Sequence, residues 1–178
     1  MRYLDKLQAN KIIQGDVKAF EILIESYKGR VFSYCLRMSN DHHASEDLTQ
    51  EVFLKVYRNM QYYDSRKAAL NTWIYTICRH TCLNYVRDRE RAGMDTALAE
   101  PDTLGCSGDP YRSLDNRLCL IRALNKLSLE ERELLIMKDY LDFKYREIAK
   151  LLGLPVGTIK SRIHSTRMRM KQELGETT

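Results

Sequence analysis

Lys160, Ser161, His164, Arg167 and Lys171 fall at intervals that place them on one side of a helix, and none is followed by an acidic neighbour. From Leu154 to Gln172 there are five Lys or Arg and no Asp or Glu. A solvated helix face normally mixes both signs, so a purely cationic run points at a polyanion. At 100° per residue the opposite side collects Ile159, Ile163, Thr166, Met170 and Leu174, with Arg162 and Arg169 on a flank. A basic surface helix or a membrane-surface amphipathic helix would share this composition. What precedes the helix separates those readings.

Ala149, Gly153 and the apolar Ile148, Leu152, Leu154 and Ile159 have helix-turn-helix spacing. A small residue sits where two helices cross, a Gly where the chain turns sharply, and apolar residues clamp the pair. The first helix is predicted to end at Leu152 and the second to begin near Pro155. Such a turn followed by a cationic helix is the arrangement that lays side chains along a DNA groove.

Other candidate chemistry is sparse. No nucleophile–base–orienter set and no phosphate-cradling Gly loop is present, so no catalytic residue and no cofactor are expected. The five cysteines are Cys35, Cys78, Cys82, Cys106 and Cys119. An odd number without a two-residue spacing argues against a disulfide framework or a zinc knuckle, and no metal site is expected. Cys78 and Cys82 lie one helical turn apart, but His80 between them falls on another face. They read as small buried hydrophobes, with a redox or metal role left open. His42 and His43 are expected in an exposed turn before an acidic helix.

The elements that carry these groups are all helical. Val17 to Met38 places Phe20, Leu23, Ile24, Tyr27, Val31, Tyr34, Cys35 and Met38 at intervals of three and four, which predicts a long amphipathic helix. Asn40 and Asp41 end it. A second helix is expected over 44–63, with Leu48, Val52, Phe53, Val56, Tyr57 and Met60 as its apolar arc. Opposite lie Asp47, Gln50, Glu51, Leu54 and Arg58. An apolar Leu54 among carboxylates and an amide suits a protein-binding face, and spacing alone leaves an ordinary solvated face equally open.

Residues 61–71 read as a loop, with Tyr62 and Tyr63 beside Asp64, Arg66 and Lys67. Thr72 is expected to cap a third helix, Trp73 to Arg89, burying Ile74, Ile77, Cys78, Thr81 and Tyr85. Its other side holds Thr76, Arg79, His80 and Arg87, with Asn84 at the margin. Aromatic groups beside an Arg-bearing helix make a platform for unstacked bases, although core filling serves Trp73 equally well. Residues 92–112 carry glycines and prolines with an acidic excess and read as a linker. Leu114, Leu118, Ile121, Leu124 and Leu127 then form a new stripe, and Ser128 with Glu131 writes a capping box before Leu134, Leu135 and Leu141.

The expected fold is thus all-α: two small helical domains joined by a flexible linker, the C-terminal one containing the helix-turn-helix. A net charge of +5 suits a nucleic-acid partner. No apolar run approaches the roughly 18 residues that span a bilayer, and no signal-peptide core is seen at the N-terminus, so a cytoplasmic protein without direct membrane insertion is expected.

Asp47-Leu48-Thr49-Gln50-Glu51-Val52-Phe53, then Thr72-Trp73-Ile74-Tyr75, then Gly157-Thr158-Ile159-Lys160-Ser161-Arg162 resemble, in order and separation, the extracytoplasmic-function sigma factors of the sigma-70 family. The resemblance covers nearly the whole chain apart from the linker. It implies region 2 over 1–91, an acidic linker over 92–113 and region 4 over 114–178. It further implies docking of Asp47, Gln50 and Glu51, with Leu54 added from the helical projection, on the clamp coiled coil of the RNA polymerase largest subunit. Recognition and melting of the −10 promoter element would map to Tyr63, Asn71, Trp73, Arg79, Asn84 and Arg87. Reading of the −35 element would map to Thr158, Lys160, Ser161, Arg162, His164 and Arg167. An anti-sigma factor is an expected partner. Many members carry Asp where this chain has Asn84, and Arg where it has Ser165. The rival readings are a stand-alone helix-turn-helix regulator, which predicts duplex binding without polymerase, and a single-strand RNA-binding module built on the aromatic loop.

Overall fold

The computed structural model describes residues 2–93 and 123–174, with side chains from residue 7 onward. The chain divides into two compact units, within residues 1–99 and 100–178, and each is taken by itself. Among the described residues every regular element is helical.

The described part of the first unit has four α-helices: α1 (Arg2–Ile13), α2 (Val17–Ser39), α3 (His42–Asn59) and α4 (Leu70–Arg91). Helices α2, α3 and α4 pack on one another around Leu23, Val31, Tyr34, Cys35, Met38, Val52, Val56, Ile74, Tyr75, Cys78 and Cys82, all at most 1% exposed. Burying such side chains contributes about 1.5–3 kcal/mol for each large aliphatic one, so this three-helix core dominates the unit's stability. The apolar spacing of residues 2–13 does not predict helix α1. It buries Ala9 and Ile12 and packs on α2 and α4, while Leu7 and Ile13 stay exposed, so its apolar pattern is too thin to signal a helix.

The corner between α2 and α3 takes two residues. Asn40 adopts the left-handed conformation (φ 54°) and its N–H donates to the Leu36 carbonyl, closing α2. Asp41 then caps α3, its carboxylate accepting from the Ala44 N–H at 3.0 Å. That cap starts α3 two residues earlier than expected, so His42 and His43 lie in its first turn rather than in an exposed loop. The same Asp41 carboxylate accepts from the Arg89 guanidinium of α4 at 3.0 Å, and Arg89 also donates to the Tyr85 hydroxyl.

The expected 61–71 loop is shorter and more ordered than the sequence suggests. A 3₁₀ turn, Met60–Tyr62, buries Met60, the Tyr63 hydroxyl donates to the Ala68 carbonyl, and Asp64 receives Arg66. Helix α4 begins at Leu70, not at Trp73. Ala69 occupies the cap position without a side-chain bond, and Thr72 is buried inside the helix rather than capping it. Burial of Leu70 (1% exposed) sets this start, a tertiary interaction that outweighs the local capping preference of Thr72. Leu83 and Val86 join the buried face, whereas Ile77 and Tyr85 are only half-buried.

In the second unit residues 123–125 are helical, followed by α5 (Leu129–Leu135), α6 (Tyr145–Leu152) and α7 (Val156–Glu173). Ser128 and Glu131 form the expected capping box. The expected helix through Leu141 does not stay α-helical: Ile136–Tyr140 is a π-segment, closed by the Leu141 N–H on the Ile136 carbonyl at 2.9 Å. The wider turn lets Ile136, Met137, Leu141 and Phe143 all point inward. Gly153 ends α6 at φ 67°, the left-handed conformation that only Gly adopts without strain, and the N–H groups of Gly153 and Leu154 both donate to the Ala149 carbonyl. Of the stripe upstream, Leu127 is buried and Leu124 half-buried; Leu114, Leu118, Ile121 and most of the linker lie outside the described residues.

Candidate functional site

The cationic face is carried by α7, held by burial of Ile159, Ile163 and Thr166 at 0–1% exposure. This fixes the helix rotation, so Lys160, Ser161, His164 and Arg167 are exposed while Thr158 is half-buried. The arginines, however, do not all face solvent alone. Arg162 pairs with Glu130 at 3.3 Å, Arg169 with Glu131 at 2.6 Å, and Arg167 with Asp139, to which its Nε donates at 3.2 Å. The Asp139 carboxylate raises the Arg167 guanidinium above its already high ordinary value. Burial works against the Glu131 carboxylate, yet the Ser128 backbone and hydroxyl bonds and the Arg169 charge hold it below the usual carboxylate range.

Lys160, His164 and Lys171 therefore form the part of the face with no acidic partner among the described ion pairs, Lys160 and His164 lying in the N-terminal half of α7. Lys160 Nζ sits 5.9 Å from the centre of the Tyr145 ring, and Lys138 Nζ lies 5.5 Å from the same ring. Ser161 closes on the Thr158 carbonyl at 3.1 Å, which points its hydroxyl back along its own helix in this conformation.

In the first unit, Asp47, Gln50, Glu51 and Leu54 are all exposed on one side of α3, with Leu54 at 54%. Glu51 is bridged to Lys55 at 2.6 Å, one turn on. Tyr57, expected in the apolar arc, is 51% exposed and leans on Phe20 at 4.9 Å between ring centres. It extends the Leu54 patch, and its aromatic character hid this, because an aromatic at a core interval reads as core.

The residues expected to meet single-stranded DNA are gathered only partly. Tyr63 and Trp73 stand side by side, ring centres 5.3 Å apart, both half-buried, and Asn71 lies in the first turn of α4. Trp73, Asn84 and Arg87 fall within about 60° on the helix, and the exposed His80 joins them. Arg79 lies off that line by roughly a quarter turn or more and is half-buried. Tyr62, at 74% exposed, is the most open large aromatic among the described residues and belongs to the aromatic loop that the sequence marks out.

Known proteins fit this arrangement. The Sigma-70 region 2 model matches residues 23–92, and the Sigma-70, region 4 model matches residues 117–170. The chain belongs to the extracytoplasmic-function sigma factors of the sigma-70 family. It is 27% identical to the ECF RNA polymerase sigma factor SigW of Bacillus subtilis, over 98% of each chain. It is 30% identical to the ECF RNA polymerase sigma factor SigE of Mycolicibacterium smegmatis, over 92% of this chain and 64% of that one. Among solved structures, the sigma factor RpoE in complex with the anti-sigma factor NepR from Bartonella quintana is similar at TM-score 0.72 and 27% identity. That match covers 90% of this chain and 99% of the other. As a sigma factor of this family the protein directs promoter-specific transcription initiation, and the stand-alone regulator reading is not favoured. No described helix is long and apolar enough to cross a membrane.

Proposed function

We propose that the sigma factor divides its work between its two units at the residues above. Residues 1–91 act as region 2, 92–113 as the linker and 114–178 as region 4. Asp47, Gln50, Glu51 and Leu54, extended by Tyr57, dock on the clamp coiled coil of the core RNA polymerase largest subunit. Exposed carboxylates around an apolar centre suit a partner helix with basic edges and an apolar ridge. Tyr63, Asn71, Trp73, Asn84 and Arg87 receive the −10 element as a single strand, with Arg79 contributing charge from the side. Each base–aromatic stack supplies about 1–3 kcal/mol, so trapping an unstacked base offsets the cost of opening the duplex. No nucleotide hydrolysis enters, and the protein acts as a binding factor in the cytoplasm rather than as an enzyme.

In the second unit Lys160 and His164, in the N-terminal half of α7, reach base edges of the −35 element in the major groove. Thr158, Ser161, Arg162 and Arg167 flank them, with the arginines serving phosphates. The observation that carries this reading is a solvent-exposed acidic and apolar face on α3 together with an exposed face on α7 whose own charged side chains from Lys160 to Lys171 are all basic, each on its own unit. An anti-sigma factor is the natural regulatory partner, by analogy with the complexed RpoE above.

The test is reversal of charge in a D47K/E51K variant, followed by co-purification with core polymerase and run-off transcription. Loss of both, with unchanged circular dichroism, supports the docking face. Wild-type association would overturn it.

A further inference from the structure

The unit bearing α1–α4 contains a group that promoter recognition does not use. Cys35 on α2 and Cys78 and Cys82 on α4 are each 0% exposed, and their sulfurs all lie within 4.8 Å of one another. Cys35 Sγ is 4.0 Å from Cys78 Sγ and 3.5 Å from Cys82 Sγ. Spacing on α4 reveals the pair, one turn apart, but only the packing of α2 brings in the third thiol.

We propose that Cys35, Cys78 and Cys82 form a three-sulfur site for a trivalent thiophilic element, represented by arsenic(III), which dissolves as a neutral hydroxide at neutral pH.

Geometry supports three-fold ligation. A centre bonded to three sulfurs at about 2.3 Å, the usual length of a metal–thiolate bond, needs sulfurs roughly 3.5–4.0 Å apart, depending on how far it rises from their plane. The separations from Cys35 to its two neighbours lie within that range, so the helices need shift little. A four-coordinate ion would require a further ligand, and no fourth His, Cys, Asp or Glu joins the group among the described residues. Apart from the two partner thiols, Cys35 meets the neutral Thr49 hydroxyl and its own backbone.

Charge selects the valence. Three thiolates around a monovalent ion would leave two negative charges in an apolar core, and a divalent ion would leave one. Only a trivalent centre leaves none, and burying uncompensated charge is strongly unfavourable. No cationic side chain acts on the Cys35 or Cys78 thiols to relieve such a charge. Hydrogen bonds from the Cys78 and Cys82 thiols pull the Cys35 thiol down, whereas burial pushes the Cys78 thiol up.

The exchange balances without redox chemistry. Each As–O bond of arsenous acid breaks as an As–S bond forms, and each thiol proton leaves with the departing hydroxide as water. One As(OH)₃ and three thiols give one neutral As(S)₃ centre and three waters. With no exposed sulfur, entry passes through local opening of the bundle, and the adduct then ties α2 to α4.

The experiment incubates the reduced full chain with sodium arsenite for longer than the amides of α2 and α4 take to exchange. Native mass spectrometry counts the arsenic, and arsenic X-ray absorption counts its sulfurs. One arsenic per chain with three As–S bonds and no As–O bond is expected, unchanged in a C106A/C119A variant. C35A, C78A and C82A should each lose the three-sulfur signature. Because the wild-type spectrum reads the ligand set directly, poor folding of a variant does not blunt the test. Absence of bound arsenic, a three-sulfur centre that survives C78A, or dependence on Cys106 or Cys119 would overturn the proposal. So would tight uptake of Zn(II) or Cu(I) in parallel samples that leave arsenite unbound, or formation of a Cys35–Cys82 disulfide alone.

Discussion

Substituting Asp139→Asn separates two roles for Arg167. In the free protein Arg167 is clasped by Asp139, with both side chains a little over 40% exposed. An ion pair that open to water is worth about 0.2–1 kcal/mol. If Arg167 moves to a phosphate when the recognition helix enters the groove, that pair must first break, and Asp139 competes with the DNA. Removing the carboxylate while keeping its shape should then tighten promoter binding by about 0.2–1 kcal/mol, or roughly 1.4- to 5-fold. A phosphate contact also contributes about 0.9 to the slope of log K against log salt, so R167Q should weaken binding and flatten that slope by about this amount. The assay is equilibrium binding of the reconstituted holoenzyme to a promoter fragment selected by run-off transcription, between roughly 50 and 200 mM salt. The double variant D139N/R167Q is the control, since Asp139 repels DNA whether or not Arg167 is present. The gain seen with D139N should shrink when Arg167 is absent. If D139N leaves affinity and slope alone, or weakens binding, Arg167 is a strut holding α7 against the π-segment and not a DNA contact.

Further outcomes are expected elsewhere. Alanine at Lys160 or His164 should lower discrimination between −35 sequences by about 1–3 kcal/mol for each base that is no longer read, measured by competition between promoter variants. Gly153→Ala should destabilise the second unit by about 1–2 kcal/mol through backbone strain alone, because a Cβ there meets no atom within 4 Å; chemical denaturation followed at α6 and α7 by amide exchange checks this. Glu131, whose folded carboxyl lies below its ordinary value of 4.5, contributes stability above that pH, and the contribution is lost as pH falls through the lower folded value. Glu131→Gln should therefore cost about 1 kcal/mol near neutral pH and remove part of the acid sensitivity of α5 and α7, read from amide exchange at pH 7 and under acid.

The helix-turn-helix and the capping box at Ser128 were legible because each depends on neighbours in sequence: a Gly where φ must be positive, a Ser and a Glu three apart. The outward set on α7 was legible for the same reason, since Ile159 and Ile163 fix the rotation. What escaped needed the third dimension. Helix α1 becomes stable only against α2 and α4, the start of α4 is set by a buried Leu70, and the π-segment answers a packing demand across the second unit. The pairing of Arg162, Arg167 and Arg169 with carboxylates on or just after α5 was equally hidden, because partners some thirty residues apart carry no local signature. Arg79 joins Trp73 only through the family resemblance, and on the helix it lies off the line of Trp73, Asn84 and Arg87. Cys35 joins Cys78 and Cys82 only through the crossing of two helices.

Tyr145 has a consequence of its own. Its ring is approached by two ammonium groups, Lys138 from the π-segment and Lys160 from the recognition helix, at 5.5 and 5.9 Å. Like charges are thus kept in the same neighbourhood by a shared electron-rich surface, which steadies the direction in which Lys160 extends before any DNA arrives. A smaller aliphatic residue at that position would leave the helices in place yet let the two lysines drift apart. The loss would surface as blurred base preference rather than as a weaker fold, and a survey of folding mutants alone would overlook it.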